Sequence, residues 1–247
     1  MLSMLLARDF VPRWSASVQI ACVLILIVTG IAMVSTSTRA QILEVPFGRY
    51  HALLIANSDY APYGDWPSLP GPVSDTMRIK TILEDDYGFE VKVLHNATKD
   101  AILDALWDYR RLLTQDDNLL IYYAGHGKIL DGHGYWIGID GARDRPTRWL
   151  SGSELAPRLN EIGAKHIIVV SDSCYAGTLF RAEMEWPARD PREDVIAWWR
   201  TMAVRRTRLA LASGNLERVL DGGGPNGLSV FAGAFVGALQ ANDTVLE

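Results

Sequence analysis

Asn118-Leu119-Leu120-Ile121-Tyr122-Tyr123 is an apolar run that ends in Ala124-Gly125-His126-Gly127, and His166-Ile167-Ile168-Val169-Val170-Ser171 ends in Asp172-Ser173-Cys174-Tyr175-Ala176-Gly177. Both runs are short, rich in β-branched or aromatic residues and almost unbroken by polar positions. That is the pattern of a strand covered on both faces. Similar runs predict strands over Tyr50 to Ala56, Glu90 to Leu94, Tyr135 to Ile139 and Arg208 to Ser213. Helical patterns lie between them: Ser74 to Glu84, Lys99 to Leu113 with Thr98 as N-cap, Ser153 to Glu161 and Ser229 to Gln240. The order β-α-β-α-β-β-α-β-β-α implies an α/β layered fold with a largely parallel sheet, because parallel neighbours need crossovers that lay helices on its faces.

No Pro/Ser-rich linker or internal repeat divides the chain after Tyr50, so one domain is the simplest organisation. The 247 residues are 49% hydrophobic, which excludes disorder and collagen-like structure and is ample for a core. Lys and Arg number 24 against 29 Asp and Glu, a net charge of -5, so no overall basic field draws the chain to nucleic acid. Two cysteines exclude a disulfide-rich scaffold and a four-thiolate zinc site.

Residues Ala16 to Val34 carry no charge, and as a helix rising about 1.5 Å per residue they span the roughly 30 Å hydrocarbon layer. Arg8 and Arg13 precede this segment with only Asp9 opposing them, which keeps the amino terminus cytoplasmic and sends the remainder across. Thr38-Arg39-Ala40 offers small residues where a signal peptidase cuts. Two outcomes follow: a signal peptide removed after Ala40, or an uncleaved anchor that holds the chain to the membrane through residues 16–34. Either places residues 41–247 outside the cytoplasm, in the periplasm or the extracellular space. Cys22 lies inside the apolar segment, so Cys174 is the only thiol of the exported part and no internal disulfide can form.

In open α/β sheets functional groups gather beyond the carboxyl ends of the strands. His126 and Cys174 both fall there, each inside a glycine-containing turn that lets backbone approach a substrate. The interval between them holds a strand, a helix and another strand, enough to bring both to one rim. A thiol with an ordinary pKa of about 8.5 is a few per cent thiolate at neutral pH and needs a neighbouring base, for which His126 is the candidate. The bland alternatives are an inert buried cysteine and a structural histidine.

Tyr122-Tyr123-Ala124-Gly125-His126-Gly127 and Asp172-Ser173-Cys174-Tyr175-Ala176-Gly177, in that order, resemble the two catalytic motifs of the caspase-like cysteine peptidases, and among them the metacaspases and their bacterial relatives. The resemblance extends over Ser58-Asp59-Tyr60, Pro72-Val73-Ser74-Asp75, Ala212-Ser213-Gly214, Asp221 to Gly224 and Ser229-Val230-Phe231-Ala232. It implies a three-layer caspase-hemoglobinase sandwich with a mostly parallel central sheet. It also implies Cys174 as nucleophile, His126 as proton-transfer partner, and the backbone N–H groups of Gly127 and Cys174 as oxyanion hole. Gly127 suits that role because a side chain there would crowd the substrate.

Metacaspase-like members cut polypeptides after Arg or Lys using acidic pocket residues. Here Asp172 and Asp75 stand in the matching positions, with Ser74 replacing the family's asparagine and Ala124 its serine. The plainer roles are a strand-end acid bonded to backbone for Asp172 and a helix-start acid for Asp75. No cofactor is implied. Some metacaspases need calcium, but no ligand cluster for it is identifiable, and no zinc, EF-hand or phosphate-loop spacing occurs. A silent caspase-like binding or scaffold domain at the cell envelope is the alternative function. Retention of Cys174, His126 and Gly127 argues against it.

Arginines crowd the stretch from Arg181 to Arg208, where Arg205 and Arg206 could be self-cleavage sites or part of a solvated helix face laced with acids. Trp198-Trp199 is assigned to core packing. His51, His95, His133 and His166 read as structural.

Overall fold

In chain order the strands are β1 (Tyr50–Ala56), β2 (Glu90–His95), β3 (Asn118–Ala124), β4 (Gly127–Leu130), β5 (His133–Ile137), β6 (Trp149–Ser151), β7 (His166–Asp172) and β8 (Thr207–Ala212). The helices of a full turn or more are α1 (Pro72–Asp85), α2 (Lys99–Leu112), α3 (Gly152–Glu161) and α4 (Val230–Ala241). The computed structural model describes residues 48–63, 65–179, 205–214 and 223–242, all within the unit Pro46–Glu247. The apolar segment Ala16 to Val34, Cys22, the Thr38 to Ala40 triplet, the arginines from Arg181 to Arg200, Trp198-Trp199 and Asp221 lie outside the described residues. Among the described residues no helix is long and apolar enough to cross a membrane.

Five strands form one fully parallel sheet in the order β2-β1-β3-β7-β8. Strict period-two alternation divides its side chains. Leu53 and Ile55, Leu119, Ile121 and Tyr123, and Ile167 and Val169 face one core with α2 and α3. Ala52 and Leu54, Leu120, Tyr122 and Ala124, and Val170 face the other with α1 and α4. The result is the expected three-layer caspase-like α/β sandwich. Helix starts follow the cap chemistry: Thr98, Ser151 and Ser229 each accept the N–H three residues on, and α1 opens on Pro72, whose missing N–H costs nothing there.

The structure corrects the sequence in one region. Tyr135 to Ile139 is not a strand of the main sheet; β5 spans His133–Ile137 in a second, antiparallel sheet ordered β4-β5-β6. β4 and β6 are only four and three residues long and carry Gly127, Lys128 and Ser151, so no apolar run marks them. Gly127 consequently begins a strand instead of sitting in a turn, and His133 begins β5.

Candidate active site

β3 and β7 pair in register down to Ala124 opposite Asp172, so the two glycine-containing motifs leave the sheet side by side. The Gly125 amide reaches the Asp172 carbonyl at 3.4 Å. One step further on the loops touch: a β-carbon built on Gly127 would sit 2.0 Å from the carbonyl oxygen of Cys174 and 3.0 Å from Oγ of Ser173. Glycine at this position is therefore demanded by the Cys174 backbone, a different reason from the substrate crowding expected of it.

Cys174 is half-buried in a loop fastened on two sides. The Ser173 amide donates to Oγ of Ser213 at 3.1 Å, that hydroxyl lies 3.2 Å from the Ser173 carbonyl, and the Gly177 amide donates to the Gly214 carbonyl at 2.8 Å. Beyond the cysteine, Leu179 packs so closely on Gly152 that a β-carbon there would lie 1.7 Å from the Leu179 carbonyl oxygen. Between these anchors Tyr175 adopts φ +60°, a left-handed conformation unusual for a residue with a β-carbon and found disproportionately at functional turns.

His126 sits in a cradle that the sequence did not reveal. Its ring lies against Tyr60 (centroids 4.7 Å apart) and Trp66 (5.2 Å), and its Nε2 is 2.7 Å from the Pro67 carbonyl oxygen. A carbonyl only accepts, so Nε2 carries the proton and Nδ1 is the basic nitrogen of the neutral ring. The Tyr60 hydroxyl accepts the His126 amide at 3.0 Å and donates to the Ile137 carbonyl at 3.0 Å. Trp66 is held in turn by its indole N–H on the Gly141 carbonyl at 2.5 Å and by the Arg143 guanidinium 5.1 Å over its ring. Tyr60 lies in the segment Ser58-Asp59-Tyr60 that carries the family resemblance, while for Trp66 and Pro67 the sequence signal is an aromatic and proline cluster, Tyr63 to Pro67.

Asp172 and Asp75 meet on the α1/α4 side of the sheet, where alternation from Tyr122 and Val170 directs Asp172. Both are buried, at 8% and 1% exposure. Asp172 accepts from the hydroxyls of Ser229 (2.8 Å) and Tyr122 (3.2 Å), so among the described residues its partners are side chains. Asp75, in the first turn of α1, accepts the Ser229 amide on both oxygens at 3.3 and 3.2 Å. Burial pushes the Asp172 carboxyl above its usual range and the Asp75 charge adds to this, while the bonds from Ser229 and Tyr122 pull the other way. Among the described residues no group of three or more His, Cys, Asp or Glu side chains is arranged to hold a metal ion.

A family model described as the caspase domain matches residues 49–243. No curated protein matches the sequence significantly. Among solved structures, the crystal structure of a protein from Geobacter sulfurreducens is similar in fold, with a TM-score of 0.53 and 21% identity over 78% of this chain and 82% of that one.

Proposed function

Because this chain belongs to the caspase-domain family, a family of cysteine peptidases, we propose that it is an exported endopeptidase that cuts polypeptides after Arg or Lys using Cys174 and His126. The observation that carries this reading is the contact of the two motif loops, with Gly127 seated on Cys174 and the preceding residue, His126, held in one tautomer by the Pro67 carbonyl.

In the proposed reaction Nδ1 of His126 takes the Cys174 thiol proton, and the thiolate attacks the scissile carbonyl carbon to give a tetrahedral oxyanion. The C–N bond then breaks as His126 returns the proton to the leaving amine. Water, deprotonated by the same nitrogen, hydrolyses the thioester, releasing the acid and restoring the thiol. Backbone N–H groups of Gly127 and Cys174 are proposed to hold the oxyanion, each such donor contributing about 2.7–4 kcal/mol in the transition state. Asp172 and Asp75 would select a guanidinium or ammonium. Export is proposed from the apolar segment Ala16 to Val34, with residues 1–40 as signal peptide or anchor and 41–247 as the peptidase domain.

The test is turnover of fluorogenic peptides ending in Arg, Lys or Asp by the full chain, with and without calcium, beside Cys174→Ala. Arg or Lys cleavage that the variant lacks is expected. No turnover, or equal turnover by the variant, would sink the peptidase reading in favour of a silent binding domain. A preference for Asp would overturn the acidic pocket. Cell fractionation that finds the chain in the cytoplasm would overturn export.

A further inference from the structure

Ser229 is the residue on which the two buried carboxylates converge. Its amide bonds both oxygens of Asp75, and its hydroxyl lies 2.8 Å from Oδ2 of Asp172. The same hydroxyl accepts the Ala232 amide at 3.0 Å as the N-cap of α4. A hydroxyl has one proton, and because the Ala232 amide is itself a donor, that proton is committed to Asp172. Tyr122 places a second hydroxyl 3.2 Å from the same carboxylate oxygen, while its ring is fixed by stacking on Phe235. Ser229 is buried, so water does not substitute for its hydroxyl. Two neighbouring carboxylates taken out of water resist ionisation together. What offsets this here is the start of α4, where the amide, the hydroxyl and the positive end of a twelve-residue helix face the pair.

We infer that Ser229, seconded by Tyr122, is a specificity-determining positioning residue: it holds Asp172 ionised and oriented so that the carboxylate pair can receive the basic side chain of a substrate. This rests on the reading of Asp172 and Asp75 as the substrate pocket. It assigns discrimination between basic and other side chains to the first turn of α4, far along the chain from both catalytic motifs. Removing a donor from the ionised form raises the carboxyl further, so protons compete for it at a higher pH.

The experiment uses the full chain carrying Cys174→Ala, so that binding is read without turnover, and benzamidine as the cationic probe, titrated calorimetrically from acid to neutral pH. Ser229→Ala should weaken binding about tenfold at neutral pH and move the acid loss of affinity to higher pH. Tyr122→Phe, which has no capping role, should move both in the same direction by less. Ser229→Thr, which keeps hydroxyl and cap, should stay within about twofold of the parent. Wild-type affinity and pH dependence in both Ser229→Ala and Tyr122→Phe, whatever their melting temperatures, would reduce Ser229 to a helix cap and overturn the inference. Failure of the parent to bind benzamidine, or binding indifferent to Asp172→Asn, would overturn the acidic pocket itself and the inference with it.

Discussion

The α-carbon of Gly127 lies so close to Cys174 that a single added methyl group would stand 2.0 Å from the Cys174 carbonyl oxygen. Backbone occupies that space, and backbone on both sides is anchored: Gly127 in β4 and Cys174 in a loop tied to Ser213 and Gly214. Gly127→Ala must therefore push the two motifs apart. A displacement of this size removes the alignment of the proposed oxyanion donors, and losses of about 100- to 1000-fold in kcat are typical for such donors. Steady-state kinetics on the variant, with its melting temperature recorded, check this. Wild-type kcat would show that the close approach has no catalytic consequence.

Trp66 covers one side of the His126 ring, and Pro67 next to it supplies the carbonyl that fixes the tautomer. Trp66→Ala should free the loop that carries both and lower kcat/KM roughly 2- to 10-fold, the worth of one aromatic pair. Trp66→Phe should recover most of the loss. The split between kcat and KM separates positioning from simple destabilisation: in Trp66→Ala the loss should fall on kcat with KM near the wild-type value, and an unchanged kcat would reduce Trp66 to packing.

The centre of the main sheet was legible because β1, β3 and β7 are buried on both faces, so Tyr50 to Ala56 and the runs before His126 and Cys174 carry apolar sequences that end where the strands end. The small sheet was not, because β4 and β6 are too short for periodicity and are held by pairing to β5. Within the site, Cys174, His126 and Gly127 announced themselves through their motifs. Pro67 contributes a backbone carbonyl, which leaves no mark in side-chain chemistry, and Trp66 and Tyr60 act by stacking, a property shared with any core aromatic. Ser229 was visible at the start of its helix, but its second partner, Asp172, is a contact between distant parts of the chain that spacing does not encode.

Asp172 should trade stability for selectivity. Its carboxyl is raised in the folded chain by burial, so the folded state binds its proton more tightly than the unfolded chain does. Stability then falls as pH rises from the ordinary aspartate range through the raised folded value, and the penalty is complete above that value. Asp172→Asn removes it and keeps an oxygen to accept from Ser229 and Tyr122. The variant should melt about 2–4 °C higher at neutral pH, the shift that roughly 1 kcal/mol gives in a chain of this size, while losing discrimination in favour of Arg and Lys peptides. Melting curves across pH with parallel peptide assays check both halves. A lower melting temperature at neutral pH would show that the charge is stabilising where it sits.

Arg208 ties β8, and through it the Ser213 anchor of the Cys174 loop, to the end of α3. Its guanidinium donates to the carbonyls of Leu159 (3.3 Å), Ile162 (3.0 Å), Ala164 (3.1 Å), Lys165 (3.1 Å) and Thr207 (2.7 Å). The last carbonyls of a helix have no partner within it, and α3 ends at Glu161, so the side chain satisfies the Leu159 carbonyl and shares that of Ile162 with Arg206. Burial and the neighbouring Arg206 charge lower its pKa to about 10, which still leaves it protonated at neutral pH. An ammonium is a single point with three donors and cannot span this set of acceptors as a planar fork does. Arg208→Lys should accordingly cost about 1–3 kcal/mol of stability, read by denaturant unfolding, despite conserving the charge. Arg206→Ala, which removes bonds to Asn160 and Ile162 from a more exposed side chain, should cost less. If Arg208→Lys unfolds at the wild-type denaturant midpoint, charge alone suffices at this position and the fork is not what joins β8 to α3.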